Sequence, residues 1–340
     1  MPADGMRPTD LLLTFILAAV ACFSGAATVA ILGAGLEWGW SGWAALHLSL
    51  LGGVSLLVIG VSQFFVTAFL ATTPPSRPMI TAQIAAWIAG AVAVVVGVTA
   101  SVDALILSGA ALLLVTLGLY GIALARLRSR SLQRAPWASR WYSCAALWLV
   151  PGIALGVMMA LPVPWAHGSL LGAHLACNLA GWLGGAIVGT LHTFAPSLTQ
   201  TRLRFARLQP VTFAAWSAGT LALALGYGFG SGDLVTAGWL LLICGAGLLA
   251  VNLIASVRAS ERPLSLPARL VIEAQIFLPL GLGVGLVSAL GHPLAPLAGR
   301  DRTVLAILLL AGWIGMTVLG SMLHLLSVVV HVRKLTRPVR

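Results

Sequence analysis

Charge is what this chain has least of. Only 8% of its 340 residues are Asp, Glu, Lys or Arg, and just eight are acidic. Soluble domains carry about a quarter charged residues, so an ordinary water-soluble fold is ruled out. Loops are short as well. None between apolar stretches exceeds about 15 residues, which leaves no place for a soluble domain. Cysteine is sparse and unpatterned. Cys22, Cys144, Cys177 and Cys244 all lie in or beside apolar runs and form no C-x-x-C pair, so no disulfide framework is expected. Cys22, Cys144 and Cys244 read as small packing residues. Strict alternation of apolar and polar residues is missing too, which excludes a β-barrel. No cleavable signal peptide is expected, because the first apolar run, about 25 residues long, suits a span better than a signal h-region.

What is present is hydrophobicity, at 59% of residues. Apolar runs long enough to cross a bilayer recur at roughly 11–35, 44–71, 80–100, 103–126, 141–161, 170–195, 211–228, 233–257, 270–290 and 303–330. The expected fold is all-α: a polytopic integral membrane protein of ten transmembrane helices, with residues 1–340 forming one transmembrane domain. The net charge of +11 then has a topological reading. With both termini cytoplasmic, 17 of the 19 basic residues fall inside and only Arg300 and Arg302 outside. The inner set includes Arg126, Arg128, Arg130, Arg134 and Arg140, then Arg202, Arg204 and Arg207, then Arg258, Arg262 and Arg269, and the tail Arg333, Lys334, Arg337 and Arg340. This is the positive-inside pattern of a cell (inner) membrane protein. It is favoured over a specific lipid role, and no nucleic-acid partner is expected.

A motif recurs three times. Leu179-Ala180-Gly181-Trp182-Leu183-Gly184 leads to Gly189-Thr190 and His192. Leu310-Ala311-Gly312-Trp313-Ile314-Gly315 leads to Gly320-Ser321 and His324. A weaker copy runs Leu51-Gly52-Gly53, Gly60, Gln63. In each, two glycines stand 8 residues apart, and the copies are offset by 129 and 131 residues. A repeat of this length implies a duplicated multi-helix unit, roughly 11–126, 141–257 and a truncated 270–330. Helices two, six and ten become equivalent and are expected to line a common axis.

Seven histidines are the main chemical resource. His47 and His174 open helices two and six near the outer face. His192 and His324 lie in the inner halves of helices six and ten. His167 and His292 fall in outer loops, and His331 at the inner end of helix ten. Intramembrane ionisable groups usually face a partner or a cavity. Cys177 and Asn178 follow His174 at i+3 and i+4, on its face of an α-helix. His192 lies 18 residues beyond His174, five whole turns or about 27 Å along an α-helix, so both are expected to point the same way. Gly181, Gly184, Gly185 and Gly189 between them admit a neighbouring helix or a flat cofactor, with helix packing favoured. Glu273 is expected to pair with Arg269.

Four-helix units with helices two, six and ten equivalent, and His47 and His174 at helix starts, resemble the haem-copper oxidase catalytic subunit. The sequence departs from that family where oxygen chemistry resides. It has no His-Pro-Glu-x-Tyr motif in helix six, no histidine from Pro210 to Gly228, and none from Thr303 to Gly315. Terminal oxidase activity is therefore not expected. Two stretches resemble actinobacterial polytopic proteins that stand alone or precede a copper nitrite-reductase or multicopper-oxidase domain. They are His47-Leu48 through Leu51-Gly52-Gly53-Val54 to Phe64-Phe65, and His174-Leu175, Asn178-Leu179, Gly181-Trp182, Gly189-Thr190-Leu191, Pro196 and Thr201-Arg202. The chain is also loosely similar to the NnrS family of haem- and copper-containing membrane proteins. These resemblances imply a redox setting: haem and/or copper bound for electron transfer or for nitrogen-oxide or metal-stress handling, with a copper-containing redox protein as partner. The candidate cofactor ligands are His47, His174, His192 and His324, with Asn178 orienting His174 and Cys177 as a soft copper ligand. The alternatives are a small-molecule or metal-ion transporter and a ligand-free membrane scaffold.

Overall fold

The structure, a computed structural model, describes residues 6–131, 137–292 and 299–335. Arg134, Arg337 and Arg340 lie outside them. Long apolar stretches with few breakers satisfy their backbone groups internally by forming helices, the requirement that lipid imposes. Ten helices are long and apolar enough to cross a membrane. They are α1 (Pro8–Gly35), α2 (Ser41–Phe69), α3 (Arg77–Thr99), α4 (Asp103–Ser129), α5 (Trp137–Ala160), α6 (Leu170–Leu198), α7 (Leu208–Phe229), α8 (Gly232–Arg258), α9 (Leu266–Gly291) and α10 (Gly299–Lys334). Among the described residues there is no strand. The protein is an all-α, multi-pass membrane protein.

Two compact units divide the chain. One comprises Met1–Ser139 with Ala160–Pro162, and the other Arg140–Met159 with Val163–Arg340. The first holds α1 to α4, and the second holds the body of α5 and all of α6 to α10. Each contains a central helix. Within its apolar core α6 is 67% buried and α2 is 50% buried, against 17–39% for the other eight, α10 included at 33%. Equivalence of the three repeat helices therefore does not extend to equal enclosure.

The repeat has a local structure that its motif does not announce. Each copy passes through a π-helical segment: Leu48–Val54 in α2, Ala176–Gly184 in α6 and Ala306–Gly315 in α10. Bonds slip to i+5 there. Ser55 N–H reaches Leu50 O, Gly185 N–H reaches Ala180 O, and Met316 N–H reaches Ala311 O. A widened turn splays its carbonyls outward, and two of them gain an indole. Trp87 Nε1 of α3 donates to Leu51 O at 2.7 Å, and Trp216 Nε1 of α7 donates to Ala180 O at 2.9 Å. Both donors sit 36 residues beyond their acceptors.

The repeat glycines serve packing. A Cβ on Gly52 would meet Cys22 of α1 at 3.2 Å, one on Gly181 would meet Trp148 of α5 at 2.5 Å, and one on Gly312 would meet Phe277 of α9 at 2.6 Å. The second glycines repeat the device, with Gly60 against Phe15, Gly189 against Trp141 and Gly320 against Leu270. In every copy the glycine seat is filled by a side chain of the preceding helix, and at Gly181 and Gly189 that occupant is a tryptophan. These seats bring helices together, as small residues do in lipid, and leave no bed for a flat cofactor.

Candidate functional site

Helix α6 presents one side to α5, and the polar residues follow that side. Near its N-terminal end the His174 ring approaches the α5 backbone, with Nδ1 2.9 Å from Gly152 O. Two features of α5 make the approach possible. Pro151 lacks an N–H and interrupts the helix ladder there. Gly152 and Gly156 present no side chains, and a Cβ on Gly156 would stand 3.2 Å from His174 Cε1. A carbonyl only accepts, so Nδ1 carries the proton and donates it to Gly152. That arrangement places the lone pair on Nε2.

Asn178 was expected to orient His174, and it contributes differently. Its Nδ2 donates to His174 O at 2.7 Å and lies 3.3 Å from His174 Nδ1. A protonated Nδ1 cannot accept that second contact. The Gly152 carbonyl therefore orients the ring, while Asn178 braces the backbone that carries it. Sequence reasoning missed Gly152. Its only trace was the Pro151-Gly152 pair and Gly156 inside a span. Cys177 is buried, and its thiol is free, as are those of the other three cysteines.

Toward the C-terminal end of α6, His192 is 1% exposed. Its ring stacks on Trp141 of α5 with centroids 6.1 Å apart. His174 and His192 thus both meet α5, although the π-helical segment Ala176–Gly184 lies between them and the count of five α-helical turns does not hold there. His192 Nδ1 lies 2.8 Å from Val188 O, the carbonyl one turn back, and donates to it. Nε2 is left as a buried lone pair with no hydrogen-bond partner among the described residues. Pro196, four residues on, also has no N–H to offer the His192 carbonyl. A deep polar spot results, inside the most enclosed span of the protein.

The first unit carries a counterpart at the same register, 129 residues earlier. Gln63 is fully buried in α2. Its Nε2 donates to Ile59 O at 3.0 Å and to Gln83 Oε1 of α3 at 2.8 Å. Among the described residues Gln63 Oε1 and Gln83 Nε2 have no hydrogen-bond partner, nor does the buried Thr67 Oγ1 one turn on. Ser62 Oγ and Tyr120 OH of α4, 2.7 Å apart, extend this polar cluster. Gln83 escaped the sequence reading because it stands alone among apolar residues. His47 lies nearer the N-terminal end of α2, half-buried, with Nδ1 donating to Trp43 O at 2.9 Å. It immediately precedes its π segment, whereas His174 lies two residues before its own, so the two are not in strict register.

Helix α10 differs again. His324 follows Gly320 by four residues rather than three and meets Phe194 of α6 edge-on at 5.5 Å. The polar anchor of this copy is Gln275, at the break in α9. Its Oε1 accepts from Trp313 Nε1 at 2.8 Å, and its Nε2 donates to Val271 O and Thr317 Oγ1. His167, His292 and His331 are exposed. Glu273 pairs with Arg269 at 3.2 Å, as expected, with both side chains at least half exposed.

Three histidines on repeat helices therefore share one electronic state: Nδ1–H bound to a carbonyl and Nε2 carrying the lone pair. This is the arrangement that orients imidazole toward a metal. Among the described residues no group of three or more His, Cys, Asp or Glu side chains is placed to hold a metal ion. The donor set offers single imidazole nitrogens rather than a closed cage of ligands. Compared with known proteins, the chain matches no family model, and a search of curated proteins gives no match either.

Proposed function

We propose that this protein binds haem and/or copper within the membrane and serves electron transfer or the handling of nitrogen oxides or metal stress. The observation that carries this reading is the Nε2 of His192, a buried lone pair with its tautomer set by Val188. Leaving such a group unpaired costs roughly 1–3 kcal/mol. Iron or copper accepting that lone pair offsets the cost. His174 would hold a second group at the outer end of the same helix, oriented by Gly152, with His47 and His324 as further imidazoles and Cys177 as a soft donor toward copper. Bound haem or copper would supply a one-electron couple, and the chain supplies ligands and the exclusion of water. Its partners would be the surrounding bilayer and a copper-containing redox protein.

A second reading, transport of a small molecule or metal ion, draws on the three π segments. Irregular turns inside spans often mark functional sites, and transporters build theirs on interrupted helices. One experiment separates the readings. The purified protein is examined by visible absorption and elemental analysis, alone and as His192→Ala and His174→Ala. The redox reading expects a Soret band or stoichiometric copper, diminished in each variant, with His167→Ala and His292→Ala unchanged. A colourless, copper-free protein after expression with added haem and copper would sink it and favour transport or a ligand-free scaffold.

A further inference from the structure

Two loops of the second unit converge where helices end. The first, residues 199–207, joins α6 to α7 and carries Arg202, Arg204 and Arg207. The second, 259–265, joins α8 to α9, with Arg258 at its start and Arg262 within it. Five arginines face one acid, Glu261, and none of the five forms an ion pair among the described residues. Positive-inside topology needs only that arginines be present on one side. It does not require the loops to be built.

These loops are built. Asn252 of α8 is 1% exposed and spends its whole amide on one residue of the first loop: Oδ1 accepts from Phe205 N–H at 3.0 Å, and Nδ2 donates to Phe205 O at 3.3 Å. Ser260 Oγ, with one hydrogen to donate, lies 3.1 Å from Thr199 O of the first loop and 2.9 Å from Arg262 O of its own, so the two loops stand within hydrogen-bond reach. The first loop leaves α6 through Gln200 at φ 55°, with Thr201 N–H bonded back to Pro196 O at 2.8 Å. A buried side chain thus fixes a surface turn that shows three guanidinium groups and a 44%-exposed phenylalanine.

We infer that this two-loop platform binds the headgroup of an anionic phospholipid in the adjoining leaflet. The guanidinium fork matches phosphate oxygens two at a time. The loops lie at the ends of spans, where headgroups are, and Phe205 between Arg204 and Arg207 is an apolar side chain suited to the headgroup–acyl boundary. Clusters of arginine beside spans attract anionic lipid. Here the turn is held in place before the lipid arrives, so less freedom is lost on binding.

The test uses the full-length protein in a nonionic detergent. Short-chain phosphatidylglycerol, short-chain phosphatidylcholine and inorganic phosphate are titrated separately while thermal unfolding is followed. Phosphatidylglycerol should raise the midpoint saturably and phosphatidylcholine should not. The triple change Arg202→Gln, Arg204→Gln, Arg207→Gln should weaken apparent phosphatidylglycerol affinity about tenfold or more. Asn252→Ala, which keeps every charge, should weaken it about two- to threefold by loosening the turn. The matched change Arg126→Gln, Arg128→Gln, Arg130→Gln at the end of α4 should leave it within about twofold. Equal loss in both triple variants would reduce the effect to general charge and overturn the assignment. So would equal responses to the two lipids, or a response to inorganic phosphate matching that to phosphatidylglycerol.

Discussion

An imidazole that gives its Nδ1 proton to a carbonyl keeps a lone pair on Nε2, and inside a bilayer that lone pair needs a use. His192 makes the point testable without knowing its ligand. If Nε2 is an orphan in the ligand-free protein, an apolar residue of similar size removes the penalty, because replacing an unsatisfied polar group can be neutral or stabilising. His192→Leu should then leave thermal stability unchanged or raised in protein expressed without haem or copper. His192→Ala should lower it, since a void opens beside Trp141. Under cofactor loading both variants should lose the stabilisation that the wild type gains. A large loss of stability in His192→Leu without cofactor would show that Nε2 already has a partner, and the ligand argument would fail. The depth of His192 was legible from its fixed distance after the second glycine. The role of Gly152 was not, because a backbone carbonyl on a neighbouring helix leaves no mark in the sequence. Gln83 and Gln275 were missed for a related reason: an isolated amide in an apolar run has no periodic pattern, and its importance emerges only from the partner across the helix contact.

At the scale of the element, the π segments explain why tryptophan recurs in α3 and α7. Ala85-Ala86-Trp87-Ile88-Ala89-Gly90 and Ala214-Ala215-Trp216-Ser217-Ala218-Gly219 share a pattern, 129 residues apart like the glycine motif. The following glycines continue the register. Gly90 lies against Gly109 in one unit as Gly219 does against Gly238 in the other. This second repeat is legible in the chain, as an indole at a fixed place in two matching apolar segments. The slip to i+5 bonding was not legible, because hydrogen-bond register has no residue code of its own. The ten spans were legible because length and hydrophobicity alone decide them. Trp87→Phe and Trp216→Phe each keep an aromatic side chain and delete the N–H that Leu51 O or Ala180 O accepts, while Ala180 O keeps the bond from Gly185 N–H. Each should cost roughly 0.5–1.5 kcal/mol, the net worth of one lost hydrogen bond. Hydrogen exchange should rise at the π segment of the same copy and stay unchanged at the other. Equal exchange in variant and wild type would mean that the π turns hold without their indoles.

For the whole molecule, the number of spans and the placement of arginine constrain each other. Ten crossings return the chain to its starting side, so alternate loops share a compartment. The connections after α2, α4, α6 and α8 carry or adjoin Arg77, Arg126, Arg128, Arg130, Arg202, Arg204, Arg207, Arg258 and Arg262. The connections after α1, α3, α5 and α7 contain no Arg or Lys at all. Arg300 and Arg302, at the start of α10, are the exception. A retained positive loop saves the cost of moving guanidinium groups across the bilayer, and nine arginines outweigh two. Reporters inserted after Ser131 and after Ser260 should therefore read cytoplasmic, and reporters after Ser101 and after Gly168 should read external. Those readings would place His192, Gln63 and the arginine platform toward the cytoplasm, and His47 and His174 toward the outside. A reversed pattern would exchange the two ends of α6. An external oxidant or reductant would then meet His192 rather than His174, and the arginine platform would face the outer leaflet. A mixed pattern, with Ser131 and Ser260 on opposite sides, would mean that one of the ten apolar helices does not cross the bilayer. The deep positions of His192 and Gln63 would then have to be assigned again, because each depth follows from the count of crossings before it.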